Sequence, residues 1–250
     1  MDQLIEHILR EMDYLNNPYF VHLKNGTFDK NDFVETQIQF YSAVDFFARP
    51  MAALVSKIPC PELRLGVLRN VWEEHGEGDS ERFHKFTFLT FLQRLDGCTF
   101  ETVKTRTLWP ELRIFNTTLD GVCNSDNYLL GVGAMGIIEK MFSNISSFIG
   151  RNVVERGWLV SSQLIHYDLH EELDIKHAED FFSILRASWN TDPASRNMVE
   201  QGLRLGATLF YGLYEGLYRA RNRRWIQGNQ LHVDVKESYL PKCQQVDLIS

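Results

Sequence analysis

The sequence predicts an all-α fold, one compact helical domain. Three observations predict it. Apolar residues recur at helical spacing through nearly the whole chain. Only 7 prolines occur in 250 residues, and they sit near the ends of the periodic segments. Nowhere do strand patterns alternate with helical ones, as an α/β fold requires.

Leu4, Ile8, Leu9 and Met12 give a short helix over residues 3–15. Asp29-Lys30-Asn31-Asp32 reads as an N-cap region for a long helix over 31–58, which carries Phe33, Ile38, Tyr41, Phe46 and Met51, with Pro50 as its kink. Pro61-Glu62 opens a third helix, 62–74, which stops at Gly76-Glu77-Gly78-Asp79. A fourth runs over 80–95 and ends at Asp96-Gly97. Residues 99–119 hold another, interrupted at Trp109-Pro110. The helix over 127–154 begins with Gly131, Gly133, Ala134 and Gly136, a run of small residues that suits close helix packing. Two more follow, over 161–186 and 193–222. The domain spans 1–226. The tail 227–250 has no clear period and contains Leu231-His232-Val233-Asp234-Val235, a short strand or an extended arm.

Composition sets bounds. A chain 44% hydrophobic with 17 Phe can bury a sizeable core. The net charge is −7, and the Arg219–Arg224 cluster ends the last long helix, where cations complement the helix dipole. No nucleic-acid partner is expected. No apolar stretch reaches ~18 residues, so no membrane span is expected. Cys60, Cys98, Cys123 and Cys243 form no C-x-x-C pair. Free thiols in a reducing compartment are the reading, and with an acidic, amphipathic N-terminus in place of a signal peptide, a cytoplasmic location.

The chemistry concentrates in three places. His170-Glu171-Glu172-Leu173-Asp174-Ile175-Lys176-His177 reads H-x-x-x-D-x-x-H. At ~100° per residue Asp174 lies about 40° to one side of His170 and His177 about 20° to the other, so two imidazoles and a carboxylate share one stripe. That donor set suits iron or manganese, although a solvated acidic face would look similar. His166, one turn earlier, is placed behind the ligands. Glu139 stands among apolar residues, where a buried carboxylate needs a cation; an exposed Glu139–Lys140 pair is the bland alternative. Glu74 and Glu81 flank the glycine turn before His84, and either could bridge two ions; Glu81 and His84 form an E-x-x-H pair. His75 and Glu77 are read as surface residues of the turn. Asp45 is a supplementary ligand or the partner of Arg49. Phe46, Phe47, Tyr41 and Tyr167 are candidates for a substrate pocket. Without cysteines nearby, a structural zinc does not fit.

The run Asn70-Val71-Trp72-Glu73-Glu74-His75-Gly76-Glu77-Gly78 with His84, Glu139 and His170-x-x-x-Asp174-x-x-His177 resembles the heme-oxygenase-like dimetal oxidases over residues 5–220. That family includes proteins similar to the chlamydial protein associating with death domains; TenA-like and pyrroloquinoline quinone synthase-like proteins share its fold. The resemblance implies a heme-free bundle of seven to eight helices. It implies two irons, or iron with manganese, held by Glu74 or Glu81, His84, Glu139, His170, Asp174 and His177. It implies dioxygen as co-substrate and the oxidation of a small organic substrate. The expected partners are that substrate and, in a homodimer, a second copy of the chain. The alternatives are a cofactorless enzyme of the thiaminase II or quinone-synthase type and a non-catalytic interaction protein on the same fold.

Overall fold

A computed structural model describes residues 1–125 and 127–227, apart from the side chains of residues 168–174. Among the described residues the chain forms ten α-helices and no strand. They are α1 (Asp2–Met12), α2 (Pro18–Lys24), α3 (Lys30–Val55), α4 (Pro61–Glu74), α5 (His84–Asp96), α6 (Phe100–Thr105), α7 (Pro110–Cys123), α8 (Tyr128–Glu155), α9 (His166–Trp189) and α10 (Pro193–Ala220). The excess over eight comes from α2 and α6, of seven and six residues. The tail's expected strand, residues 231–235, lies outside the described residues.

The helix ends follow sequence chemistry. Pro18, Pro61, Pro110 and Pro193 each open a helix, where the missing N–H costs nothing. The Asp29 carboxylate caps α3 by accepting from the Asn31 and Asp32 amides. Pro50 sits inside α3, as expected. The arginines at the end of α10 are spent in ion pairs: Arg223 with Glu111 at 2.9 Å and Arg224 with Asp32 at 2.7 Å.

At the centre lies α8, buried along nearly its whole length. It packs on α9 and α10, and glycines set both distances. A Cβ on Gly136 would lie 2.8 Å from Phe181 Cβ, and one on Gly206 would lie 2.4 Å from the Ala134 carbonyl oxygen. The small-residue run therefore does serve close packing. Contacts of Gly136 with Phe181 and of Gly150 with Tyr167 make α9 antiparallel to α8, and Gly202 with Leu130 and Gly206 with Ala134 make α10 parallel to it. This register faces Glu139 of α8 toward His177 of α9. On the other side α3 packs against α4, α5 and α7. A buried chain of hydrogen bonds joins α2, α3 and α9: Tyr167 donates to Gln37 at 2.5 Å, Gln37 to Tyr19 at 2.7 Å, and Tyr19 meets Thr36 at 2.8 Å.

Candidate metal centre

Glu74 is the last residue of α4, a position where the helix dipole disfavours a carboxylate. It is nonetheless buried, at 8% exposure. The chain then reverses through the glycine turn. Gly76 has φ 59°, and a Cβ there would meet the Arg82 carbonyl carbon at 2.7 Å, so only glycine fits. The reversal brings His84, first residue of α5, onto Glu74: His84 Nδ1 lies 2.9 Å from Glu74 Oε1.

The same turn settles where Glu81 goes. It stands exposed in a short 3₁₀ turn over Ser80–Arg82, whose first amide hydrogen bond runs from Glu81 N to Asp79 Oδ1 at 3.0 Å. Phe83 is then extended, so α5 begins at His84 instead of residue 80. Glu81 and His84 do not share a helix, and the expected E-x-x-H pair is not formed. His75 and Glu77 are exposed, as expected of turn residues.

From the centre of the bundle, Glu139 (3% exposed) faces His177 (0%) with Oε1 3.9 Å from Nδ1. An exposed Glu139–Lys140 pair is thereby excluded. His177 Nε2 meets Glu73 Oε2 at 2.6 Å, and the other Glu73 oxygen accepts from Lys176 Nζ at 2.8 Å. Burial pushes the Glu73 carboxyl up, but hydrogen bonds and charge from Lys176 and His177 outweigh it and hold the group below its ordinary value. Glu73 was not singled out from sequence; its only signal is adjacency to Glu74 in the Glu-Glu pair.

His166 is buried at the first position of α9. Thr87 Oγ1 donates to the His84 carbonyl at 2.9 Å and lies 2.9 Å from His166 Nδ1. With the hydroxyl hydrogen on the His84 carbonyl, the second contact takes its hydrogen from His166 Nδ1. The preceding residue, Ile165, has φ 38° and ψ −64°. For a β-branched residue this is strained, by about 1–3 kcal/mol, and it places His166 inward at the helix start.

Glu74, His84, Glu139 and His166 line a partly open pocket. Its other walls are Phe40, Ala43, Val44 and Phe47 of α3, Phe115 of α7, Ile138 and Phe142 of α8, and Phe210 of α10. Of the aromatics expected there, only Phe47 contributes; Tyr167 is committed to Gln37. The mouth adjoins a polar cleft holding Asp45, which pairs with Lys85 at 3.2 Å and with Arg49 at 3.9 Å. Asp45 thus takes the ion-pair alternative.

His170 and Asp174 lie on the helix backbone of α9, but their side chains fall outside the described residues. Among the described residues no three His, Cys, Asp or Glu side chains are gathered closely enough to hold one ion. Among the described residues, two carboxylate–imidazole pairs, Glu74–His84 and Glu139–His177, stand in the bundle interior, with Glu73 behind His177. The chemistry of that set fits a metal such as iron: hard oxygen and imidazole donors, no thiolate, and two carboxylates whose charge favours a cation. Cys98 and Cys123 are buried elsewhere, with burial pushing their thiols up to about 11 and about 12. No helix among the described residues is long and apolar enough to cross a membrane.

Comparison with known proteins agrees with this architecture. The fold is similar to a domain of unknown function with a heme oxygenase-like fold from Shewanella denitrificans (TM-score 0.72, 17% identity, covering 87% of this chain and 91% of that one). It is similar to a TenA homologue from Pseudomonas syringae (TM-score 0.72, 16% identity, 87% and 92% covered). It also resembles a CADD-like protein of unknown function from Nostoc punctiforme (TM-score 0.67, 14% identity, 87% and 98% covered). No curated protein sequence matches the chain significantly. A family model described as iron-containing redox enzyme matches residues 34–211, which include Glu74, His84, Glu139, His166 and His177. The chain belongs to that family of iron-containing redox enzymes, on a heme-oxygenase-like all-α fold.

Proposed function

We propose that the protein is a non-heme dimetal oxidase or oxygenase that oxidises a small, largely apolar organic molecule with dioxygen. The observation that carries this reading is the pair of buried carboxylate–imidazole contacts, Glu74–His84 and Glu139–His177, set beside a phenylalanine-lined pocket. Membership of an iron-containing redox family supports it.

Glu74, His84, Glu139, His170, Asp174 and His177 would hold two irons, or iron with manganese; the exposed Glu81 is left out. The metal pair, when bound, would supply the reduction of dioxygen and the oxidising equivalents. The chain's own residues do the rest. Phe40, Phe115, Phe142 and Phe210 exclude water from the pocket and offer a substrate only apolar contact, which selects a C–H-rich body. Carboxylates from α4 and α8 offset the charge of the cations, and the two packed helices around Glu139 hold the donors with little reorganisation.

The test is metal analysis of protein reconstituted anaerobically with ferrous iron, followed by oxygen uptake with and without candidate apolar substrates. Two equivalents bound in wild type, with at least one lost together with oxygen uptake in Glu139→Gln, is the expected result. Turnover that persists in chelator-treated protein would instead favour a cofactorless enzyme, the alternative to which the structural likeness to TenA homologues points.

A further inference from the structure

Glu73 stands directly behind His177, outside the donor set of the proposed dimetal site. A carboxylate only accepts, so at 2.6 Å from Glu73 Oε2 the hydrogen sits on His177 Nε2. In the neutral ring the lone pair is then on Nδ1, the nitrogen that faces Glu139. Glu73 is not free to wander. Its second oxygen is clamped by Lys176, the residue just before His177, at 2.8 Å, and its side chain is only 11% exposed. The Lys176–Glu73–His177 chain therefore spans α4 and α9 and fixes the ring's orientation, its tautomer and its polarisation at once. Such a carboxylate behind an imidazole makes the ring a stronger donor.

We propose that Glu73 is a positioning residue that presents His177 to the metal through Nδ1, distinct from the neighbouring Glu74, which is itself a donor. The inference rests on the dimetal reading. The discriminating feature is sequence adjacency with opposite roles: Glu74 turns toward His84 and the pocket, whereas Glu73 turns toward α9 and backs His177.

The experiment uses the full chain as wild type, Glu73→Gln, Glu73→Ala and Glu74→Gln. The histidine ring nitrogens are observed by long-range ¹⁵N–¹H correlation in metal-free protein. Cobalt(II) is then titrated anaerobically, with unfolding midpoints recorded for each variant. Wild type should show His177 as the Nε2–H tautomer, and Glu73→Ala should lose that signature. Glu73→Ala should weaken one cobalt equivalent about 10–100-fold without losing the stoichiometry. Glu73→Gln keeps an accepting oxygen but not the charge, so it should retain the tautomer and weaken that equivalent by a smaller factor; if the alanine variant fails to fold, unchanged cobalt affinity in Glu73→Gln overturns the proposal. Glu74→Gln should lose an equivalent outright. Unchanged tautomer and cobalt affinity in both Glu73 variants, with wild type binding normally, would overturn the proposal. Loss of a whole equivalent in Glu73→Gln would overturn it too, because Glu73 would then be a ligand. If wild type bound no cobalt, the dimetal reading itself would fall, and with it this role for Glu73.

Discussion

At the scale of single residues, burial separates side chains that look alike in sequence. Glu73, Glu74, Glu77 and Glu81 lie within nine residues of one another, yet only Glu74 is brought onto His84. Replacing Glu81 by alanine should leave iron content unchanged, whereas Glu74→Ala should remove at least one equivalent, as read by elemental analysis after desalting. Equal losses in the two would contradict the turn geometry. Glu139 was legible in the sequence because a carboxylate inside an apolar run needs a reason to be there. The choice between Glu74 and Glu81 was not, because it depends on the path of the glycine turn. Glu73 and Thr87 were invisible for a related reason: each orients a histidine on another helix, and linear spacing carries no record of the register between α4, α5 and α9. Thiols behave as burial dictates. With Cys98 at about 11 and Cys123 at about 12, few thiolates exist at pH 8. Peptide mapping after brief alkylation of native protein should find both unmodified, and prompt labelling of either would contradict the packing described.

At the scale of helices, the sequence predicted most elements with ends displaced by a few residues, and it missed α2, whose seven residues are too short to show a period. The late start of α5 has a larger consequence, since it separates Glu81 from His84. Helix glycines divide into two kinds that sequence cannot tell apart. On α10, a Cβ at Gly206 would press within 2.4 Å of the Ala134 carbonyl oxygen, whereas at Gly212 nothing lies within 4 Å. Gly206→Val should force α8 and α10 apart and cost about 1–3 kcal/mol or more. Gly212→Ala should instead stabilise by about 0.5–1 kcal/mol through helix propensity. Urea unfolding midpoints decide this; two shifts of the same sign would show that α8 and α10 are not packed as described.

At the scale of the molecule, the core is rich in weak acids that hold their protons. Burial pushes Tyr41 up to about 12, raises Tyr14 and Tyr19, and raises Tyr167 and Tyr214 well above the ordinary phenol value, alongside Cys98 and Cys123. In the unfolded chain these groups release their protons near pH 9–10, whereas the folded chain retains them. The folded state then binds more protons, so stability must fall as pH rises through that range and beyond. Melting temperatures of metal-free protein should drop progressively above about pH 9, each such group steepening the slope by about 1.4 kcal/mol per pH unit; a flat profile to pH 11 would contradict the burial of these side chains. The most direct test of the dimetal assignment is the iron content of chain saturated anaerobically with ferrous iron and freed of excess metal. Two irons per chain in wild type, falling to one or fewer in Glu139→Gln at unchanged helicity, is the result expected. Wild type that retains no iron, with helicity intact, would contradict the dimetal assignment.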